Sequence, residues 1–245
     1  MRNIEKTFLL LILCWVFLEN TLENYLRAMY YGGFHISYGI FISSLIVTLL
    51  LLIPIWVELI RRGGFMDYYG LKFKEEMLTW ILLAVPIIVV IGFILDPARL
   101  APRSELQMVE EYYTGYLPSF IAKIIAKQYS LIHALFTSII IVTPNTFIEE
   151  LWFRGLIQFK ISSIKTLGKA STPTAIIAQS VMFGLAHIYP IALNPYLPIL
   201  KTLIFIYAML GGFILGIATY RFKSILPAWI IHTLVNIIAV ASYII

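Results

Sequence analysis

The sequence predicts an all-α protein, a polytopic bundle of about seven transmembrane helices with one or two interfacial helices. Composition is the first reason: of 245 residues, 60% are hydrophobic and only 13% are charged, and the mean hydropathy is +0.89. A soluble domain of this size carries about 25% charged residues. The second reason is that the apolar residues form runs long enough to cross about 30 Å of hydrocarbon. The third is that basic residues lie between these runs.

Charge and cysteine content argue against several functional classes. The net charge is +5, but the basic residues do not form a stripe with aromatic residues, so we expect membrane lipid rather than nucleic acid as a partner. Cys14 stands alone inside an apolar run, which leaves no disulfide framework and no cysteine-rich zinc site. Any metal would have to be held by histidine, asparagine and carboxylate side chains.

The first half of the chain contains three apolar runs. The run 8–18 follows Arg2 and Lys6 and is similar to a signal peptide, but no small-residue cleavage pattern comes after it, so we predict a membrane helix. The second run covers 36–57. The third covers about 77–95, and Pro86 inside it is a site for a kink.

A polar connection over 96–130 separates the two halves. Ser104 starts an N-cap pattern, and isoleucines alternate with Lys123 and Lys127 at helical spacing. This pattern predicts one or two helices on the membrane surface, and a plain solvated loop is an equally good interpretation.

Four more apolar runs follow in the second half. We predict membrane spans over about 131–158, 174–189, 203–220 and 226–245. Gly212 and Gly216 have the small-xxx-small spacing that lets helices approach closely. We therefore predict a single integral-membrane domain over 1–245, with its functional motifs in about 131–245.

The distribution of basic residues predicts the orientation. Seven spans place the N-terminus and the second, fourth and sixth connections on one side of the membrane. Six of the eighteen basic residues fall on the other side, which leaves twelve on the N-terminal side; the six are Arg27, Arg99, Arg103, Lys123, Lys127 and Lys201. The positive-inside rule then predicts a multi-pass protein with a cytoplasmic N-terminus and an external C-terminus.

Two adjacent carboxylates late in the fourth run are the first candidates for function, because ionised groups at bilayer depth are costly and need partners. Glu150 and Arg154 are four residues apart, in the favoured orientation for a helical ion pair. On an α-helix Glu149 points about 100° away from Glu150, so we expect the two not to share a partner. Glu149 is therefore the candidate for chemistry. Asn145, one turn earlier, either orients its carboxylate or bonds backbone near Pro144.

Polar pairs in two later helices can supply the partners. Phe183 and His187 are four residues apart, as are His232 and Asn236, so each pair shares a helix face. Counting from the cytoplasmic ends gives depths of roughly 16 Å for Glu149, 21 Å for His187 and 12 Å for His232. We expect the three helices to converge on one cavity that opens toward the cytoplasm. The cavity would hold a general base, a proton carrier or metal ligand, and an oxyanion donor, the parts of an amide hydrolase.

Each of these residues also has a structural interpretation. A single histidine in an apolar helix is more often a packing residue, and we assign His35 and His133 to that class. Phe183 fits a core aromatic that shapes the pocket. Glu150 with Arg154 fits a purely structural pair.

The polar residues form three motifs on successive helices: Glu149-Glu150-x-x-x-Arg154, Phe183-x-x-x-His187 and His232-x-x-x-Asn236. In this order they resemble the signature motifs of the CPBP family, which comprises CAAX prenyl endopeptidases and bacteriocin-processing intramembrane proteases. The resemblance covers about 131–245. The first three spans match the family only in being apolar.

The resemblance implies an intramembrane protease, a hydrolase that cleaves near the C-terminus of isoprenylated proteins or processes peptides. By position, Glu149 would activate the hydrolytic water with help from His187, and His232 and Asn236 would stabilise the oxyanion or bind metal. Two mechanisms stay open, a zinc metalloprotease with His187 and His232 as ligands and a metal-independent glutamate peptidase. The alternative function is non-hydrolytic: a proton-coupled transporter, or an idle relative that acts as scaffold or immunity factor.

Overall fold

The computed structural model describes residues 73–96, 100–105, 142–143, 145–188 and 195–244, with side chains up to residue 239. Backbone contacts divide the chain into two units, Met1–Gly70 and Leu71–Ile245, and every described residue belongs to the second. The predicted spans 8–18 and 36–57, His35, His133 and the predicted surface helices after residue 105 lie outside the described residues. The number of spans and the single-domain organisation stay predictions.

All regular elements in the described part of the chain are helical. They are α1 (Glu76–Ile94), a π-helix (Leu151–Gln158), α2 (Phe159–Ser162), a 3₁₀-helix (Lys165–Ala170), α3 (Ser171–Ile188), α4 (Pro198–Phe222) and α5 (Leu226–Ile244). The all-α prediction is confirmed for these residues. The predicted spans at about 77–95, 203–220 and 226–245 match α1, α4 and α5 within a few residues, and α1 continues through Pro86.

Helix α3 begins earlier than the sequence predicts. The predicted span starts at about residue 174, after Pro173, whereas the helix starts at Ser171. Proline is tolerated in the first turn of a helix because the backbone N–H that it lacks has no partner there. The 3₁₀-helix before it contains Gly168 at φ 54°, a left-handed conformation that glycine adopts without strain.

Helices α1 and α4 are each long and apolar enough to cross a membrane. The outer face of α1 carries exposed large hydrophobic side chains, namely Leu78, Leu82, Leu83, Ile87, Val90 and Phe93. Its opposite face packs against α4 and α5 in a shared core of buried residues. The core includes Met77, Ile81, Ala84 and Ile88 from α1, Leu215 and Ala218 from α4, and Ile231 and Val235 from α5. An apolar surface beside an apolar core is the pattern of a helix that contacts lipid.

Glycines set the close approach of α3 and α4. A Cβ atom on Gly184 would lie 2.9 Å from the backbone oxygen of Phe205, and one on Gly212 would lie 3.1 Å from the Phe183 ring. A Cβ atom on Gly216 would collide with the side-chain amide of Gln179. The predicted small-xxx-small contact therefore exists, with Gly184 as an additional member from α3.

A buried carboxylate caps α4. Glu105 is 5% exposed, and its two carboxylate oxygens accept hydrogen bonds from the backbone N–H groups of Ile199 (3.4 Å) and Leu200 (2.8 Å). The first N–H groups of a helix have no intrahelical acceptor and attract negative charge. The predicted N-cap pattern at Ser104 therefore misses the contact that Glu105 makes, because the capped helix begins more than 90 residues later in sequence.

We predict that Gly184→Ala lowers the free energy of unfolding by about 1–3 kcal/mol, because the backbone oxygen that opposes the new methyl group cannot move alone. Gly211→Ala is the matched control, since its Cβ would meet only Ile88 Cγ2, at 3.9 Å. There the higher helix propensity of alanine should leave stability unchanged or raise it by up to about 1 kcal/mol. Thermal unfolding in detergent measures both, and equal effects would contradict the close-approach role.

Candidate active site

The two adjacent carboxylates end a helical stretch over 145–150, directly before the π-helix. A π-helix bonds residue i to i+5, and such widened turns occur frequently at functional sites. The carboxylates differ in exposure: the Glu149 side chain is 39% exposed, whereas the Glu150 side chain is fully buried. Only Glu149 can be reached from outside the bundle.

Glu150 forms the predicted ion pair with Arg154. The Arg154 Nη1 donates to Glu150 Oε1 at 2.9 Å, and both side chains are buried. The guanidinium also lies 4.3 Å from the centre of the Phe183 ring, and Nη2 donates to the Gly212 carbonyl at 3.4 Å. The arginine therefore joins the π-helix to α3 through a cation–π contact and to α4 through a backbone oxygen.

His232 lies between the two carboxylates. Its Nδ1 is 2.8 Å from Glu150 Oε1, and its Nε2 is 3.8 Å from Glu149 Oε2. The expectation that Glu149 and Glu150 do not share a partner is therefore wrong. The two nitrogens of an imidazole point in different directions, so one ring inserted from α5 meets two carboxylates that diverge from the helix.

This geometry fixes the orientation of the His232 ring. Because a carboxylate only accepts hydrogen bonds, the short contact places a proton on Nδ1 and makes Nδ1 the donor to Glu150. Nε2 is then directed to the side where Glu149 lies. Glu150 Oε1 thus accepts from donors on two elements, the Arg154 guanidinium of the π-helix and the His232 N–H of α5.

Phe183 and His187 complete the cluster from α3. The Phe183 ring is buried, lies 4.3 Å from the His187 ring and makes an edge contact of 5.5 Å with His232. His187 Nδ1 lies 2.9 Å from the Phe183 carbonyl oxygen, so this nitrogen is the donor and Nε2 faces away from the helix backbone. Phe183 shapes the pocket, as its structural interpretation predicts, and it also contacts the arginine.

Two contacts that the sequence analysis missed fasten α5 beside the carboxylates. Thr146 and Thr233 share a hydrogen bond of 2.7 Å between their hydroxyls, and Trp229 Nε1 donates to the Thr143 carbonyl at 2.9 Å. Thr233 follows His232 directly, so this contact limits how far the imidazole can move. Threonines are common in apolar helices, and nothing in their spacing singles these two out.

The two asparagines of the predicted site lie on the expected helices. Asn236 is half-buried, one turn after His232 in α5, and Asn145 is half-buried, one turn before Glu149. Their contributions to the oxyanion and to the Glu149 carboxylate stay predictions.

His187 and His232 are the possible metal ligands of the site. Across the described ranges, no group of three or more His, Cys, Asp and Glu side chains is arranged to hold a metal ion. His187 and His232 each have Nδ1 engaged, with the Phe183 carbonyl and with Glu150, and each leaves Nε2 available. A metal-binding histidine has the same arrangement, so zinc ligation by these two residues stays a prediction.

Comparison with known proteins adds a family to this geometry. Residues 130–238 match the family described as type II CAAX prenyl endopeptidase Rce1-like. The chain contains an Rce1-like domain. Searches of curated proteins and of solved structures found no match. The matched residues include all three polar motifs, and the resemblance drawn from those motifs is confirmed.

The match to the Rce1-like family indicates the coarse function. The family is one of membrane-embedded proteases of the CAAX prenyl endopeptidase type, and the apolar helices α1 and α4 agree with a membrane location. The family match leaves the chemical mechanism, the substrate and the orientation in the membrane to be proposed.

Two buried glutamines of the Rce1-like domain also escaped the sequence analysis. Gln158 donates to the Gly216 carbonyl and Gln179 donates to the Gly212 carbonyl, each at 2.9 Å. Gln158 lies one turn beyond Arg154, and this spacing is the signal that could have found it. Gln179 lies one turn before Phe183 on α3, a similar signal.

We predict that Glu150→Gln lowers the free energy of unfolding by about 3–5 kcal/mol, because it leaves the Arg154 charge buried without its carboxylate. Combining it with Arg154→Met should cost less than the two single changes together, since the double variant buries no unpaired charge. Denaturant unfolding in detergent measures the three variants. Additive costs would show that the pair does not act as a unit.

Proposed function

We propose that the chain is an intramembrane endopeptidase in which the Glu149 carboxylate activates water to hydrolyse a peptide bond near the C-terminus of prenylated CAAX-type proteins. The observation that carries the proposal is the His232 imidazole between two carboxylates of unequal exposure. One carboxylate is buried and paired, and the other is half-exposed with an oxygen that has no hydrogen bond from the described residues.

Glu149 has the properties of a general base. Its Oε2 is buried and has no hydrogen-bond donor among the described residues, while the rest of the side chain reaches the surface of the bundle. A water molecule beside this oxygen would give it a proton, and the water oxygen would bond to the scissile carbonyl carbon. The carbonyl electron pair moves to oxygen and forms an oxyanion.

His232 and Asn236 supply donors for that oxyanion. They lie one turn apart on α5, and Glu150 holds the His232 ring so that Nε2 faces the Glu149 side of the site. Donation from Nε2 requires a ring that carries a proton on each nitrogen. Preorganised donors of this kind act strongly in a site with little water.

Collapse of the tetrahedral intermediate completes the reaction. The carbonyl re-forms, the carbon–nitrogen bond breaks, and the proton held by Glu149 passes to the departing amine. His187 is the candidate to assist this proton transfer, because its Nε2 is directed away from its own helix. Atoms and charge then balance with water as the only co-reactant.

The membrane setting supports a lipidated substrate. Large apolar side chains are exposed on α1, α3 and α4, including Leu82, Met182 and Phe213, and an isoprenyl chain has the same apolar character. We propose that the active site opens toward the cytoplasm, that the N-terminus is cytoplasmic and that the C-terminus is external, as the positive-inside rule predicts.

We expect Glu149→Ala to abolish cleavage of a prenylated CAAX reporter peptide in liposomes, because no other described carboxylate is both exposed and in contact with His232. Glu75→Ala is the matched control: this glutamate is exposed at the start of α1 and should leave cleavage unchanged. Thermal unfolding confirms that both variants fold. Unchanged turnover in Glu149→Ala would remove the mechanism, whereas absence of cleavage by the unmodified protein would favour the non-hydrolytic alternative.

Metal removal gives a separate outcome. The glutamate mechanism predicts full cleavage after the purified protein is stripped with a tight chelator and assayed in chelated buffer. If activity is instead lost on stripping and restored by added zinc but not by magnesium, that result would contradict the glutamate mechanism and indicate a metalloprotease mechanism. The reporter and the liposomes are those of the Glu149 assay.

A further inference from the structure

A row of buried polar groups continues from the active site between the π-helix, α3 and α4. We call it the polar seam, and it consists of Glu150, Arg154, Gln158, Gln179 and the backbone carbonyls of Gly212 and Gly216. Along the π-helix its side chains are four residues apart, so each lies about 5–6 Å from the next. Gln158 and Gln179 are 5% and 0% exposed, respectively.

The hydrogen bonds of the seam leave several buried atoms without a partner. Each glutamine uses its amide nitrogen on a glycine carbonyl. Because a carbonyl only accepts, the amide oxygen of each glutamine must face away from it. Among the described residues nothing donates to Oε1 of Gln158 or Gln179 or to Oε2 of Glu150, and Arg154 Nε donates to nothing.

The two glutamine side chains meet above Gly216. A Cβ atom there would collide with Gln179 Nε2 and lie 3.2 Å from Gln158 Oε1. Glycine at this position therefore lets both amide groups pack directly against the α4 backbone, and any larger residue would displace them.

Buried polar groups in proteins are hydrogen-bonded, and an isolated one costs about 1–3 kcal/mol. Four such atoms in one row therefore imply a small hydrogen-bonding ligand that both donates and accepts. Water is the ligand that fits, because one molecule can donate to the two glutamine oxygens, and another can accept from Arg154 Nε and donate to Glu150 Oε2.

We infer that the polar seam holds a file of internal water molecules that supplies the Glu149 site from the end of the π-helix. The inference rests on the proposed hydrolysis, because that reaction consumes one water at each turnover. Gln158 is the last residue of the π-helix, and the exposed Lys160 follows two residues later, so we place the far end of the file at the end of the bundle that the proposed orientation makes cytoplasmic. The lipidated substrate and the water would then enter by different routes.

Labelling by X-ray-generated hydroxyl radicals tests the file directly in the unmodified protein. Phe183 borders the seam and Phe147 packs on Trp229, and both rings are buried. We expect Phe183 to be labelled about tenfold faster than Phe147, since radicals form from water beside the ring. Equally slow labelling of the two rings would overturn the inference.

Gln158→Met and Gln179→Met keep the side-chain length and remove the amide groups. We expect the labelling of Phe183 to fall to the Phe147 rate and kcat to fall about tenfold, a change of about 1.4 kcal/mol in the barrier, with KM unchanged. Thr219→Val is the control, because its hydroxyl bonds only to the Leu215 carbonyl of its own helix. Unchanged labelling in both glutamine variants would refute the file.

A parallel measurement separates this inference from the proposed reaction. In Glu149→Gln, cleavage should stop while the labelling of Phe183 persists. If the unmodified protein cleaves no reporter, the proposed function fails. The change in Phe183 labelling in Gln158→Met and Gln179→Met then still decides whether the seam contains water, because these variants leave the pocket beside His187 and His232 unaltered. If cleavage occurs but Phe183 is labelled as slowly as Phe147, the proposed peptidase activity is retained and the water file is refuted.

Discussion

The buried ion pair between Glu150 and Arg154 is the constraint on which the site depends. Removing either ion from water costs several kcal/mol, and their mutual attraction offsets that cost only when the remaining donors and acceptors are also engaged. The surrounding contacts meet part of this condition: His232 donates to the carboxylate, Phe183 lies over the guanidinium, and Gly212 offers its carbonyl. Glu150 Oε2 and Arg154 Nε have no partner among the described residues. One electrostatic requirement therefore gathers α3, α4 and α5 around the π-helix.

The buried ion pair also depends on close packing between the helices. The Arg154 and Gln179 side chains both reach the Gly212 carbonyl, although that oxygen belongs to the backbone of a regular helix. They reach it because Gly212 and Gly216 present no side chain on the face that α3 and the π-helix approach. In lipid, association of helices relies on such packing and on hydrogen bonds between helices, since burial of apolar surface gains little there. The glycines and the polar seam are therefore parts of one arrangement.

The sequence predicts what depends on local spacing. Hydropathy places α1, α4 and α5, and the i, i+4 rule places Arg154 beside Glu150. The sequence does not predict contacts that depend on how the helices pack against one another. His232 touches both carboxylates because α5 inserts its ring between them, and Glu105 caps a helix that begins 93 residues later in the chain. The π-helix escapes prediction for a related reason, since no propensity of Leu151–Gln158 distinguishes it from an α-helix and its surroundings decide the geometry.

Adjacent glutamates with unequal environments explain how one helix can hold a structural carboxylate and a reactive one. If Glu150 were the base, proton uptake would weaken the Arg154 pair and the His232 contact at each turnover, and the packing of three helices would change with it. Glu149 makes only a longer contact, 3.8 Å, to the same ring. It can therefore take and release a proton while Glu150 keeps its partners. A rotation of about 100° between neighbouring residues separates the two carboxylates, and the imidazole on α5 lies between them, which gives the proposed mechanism one structural and one reactive glutamate.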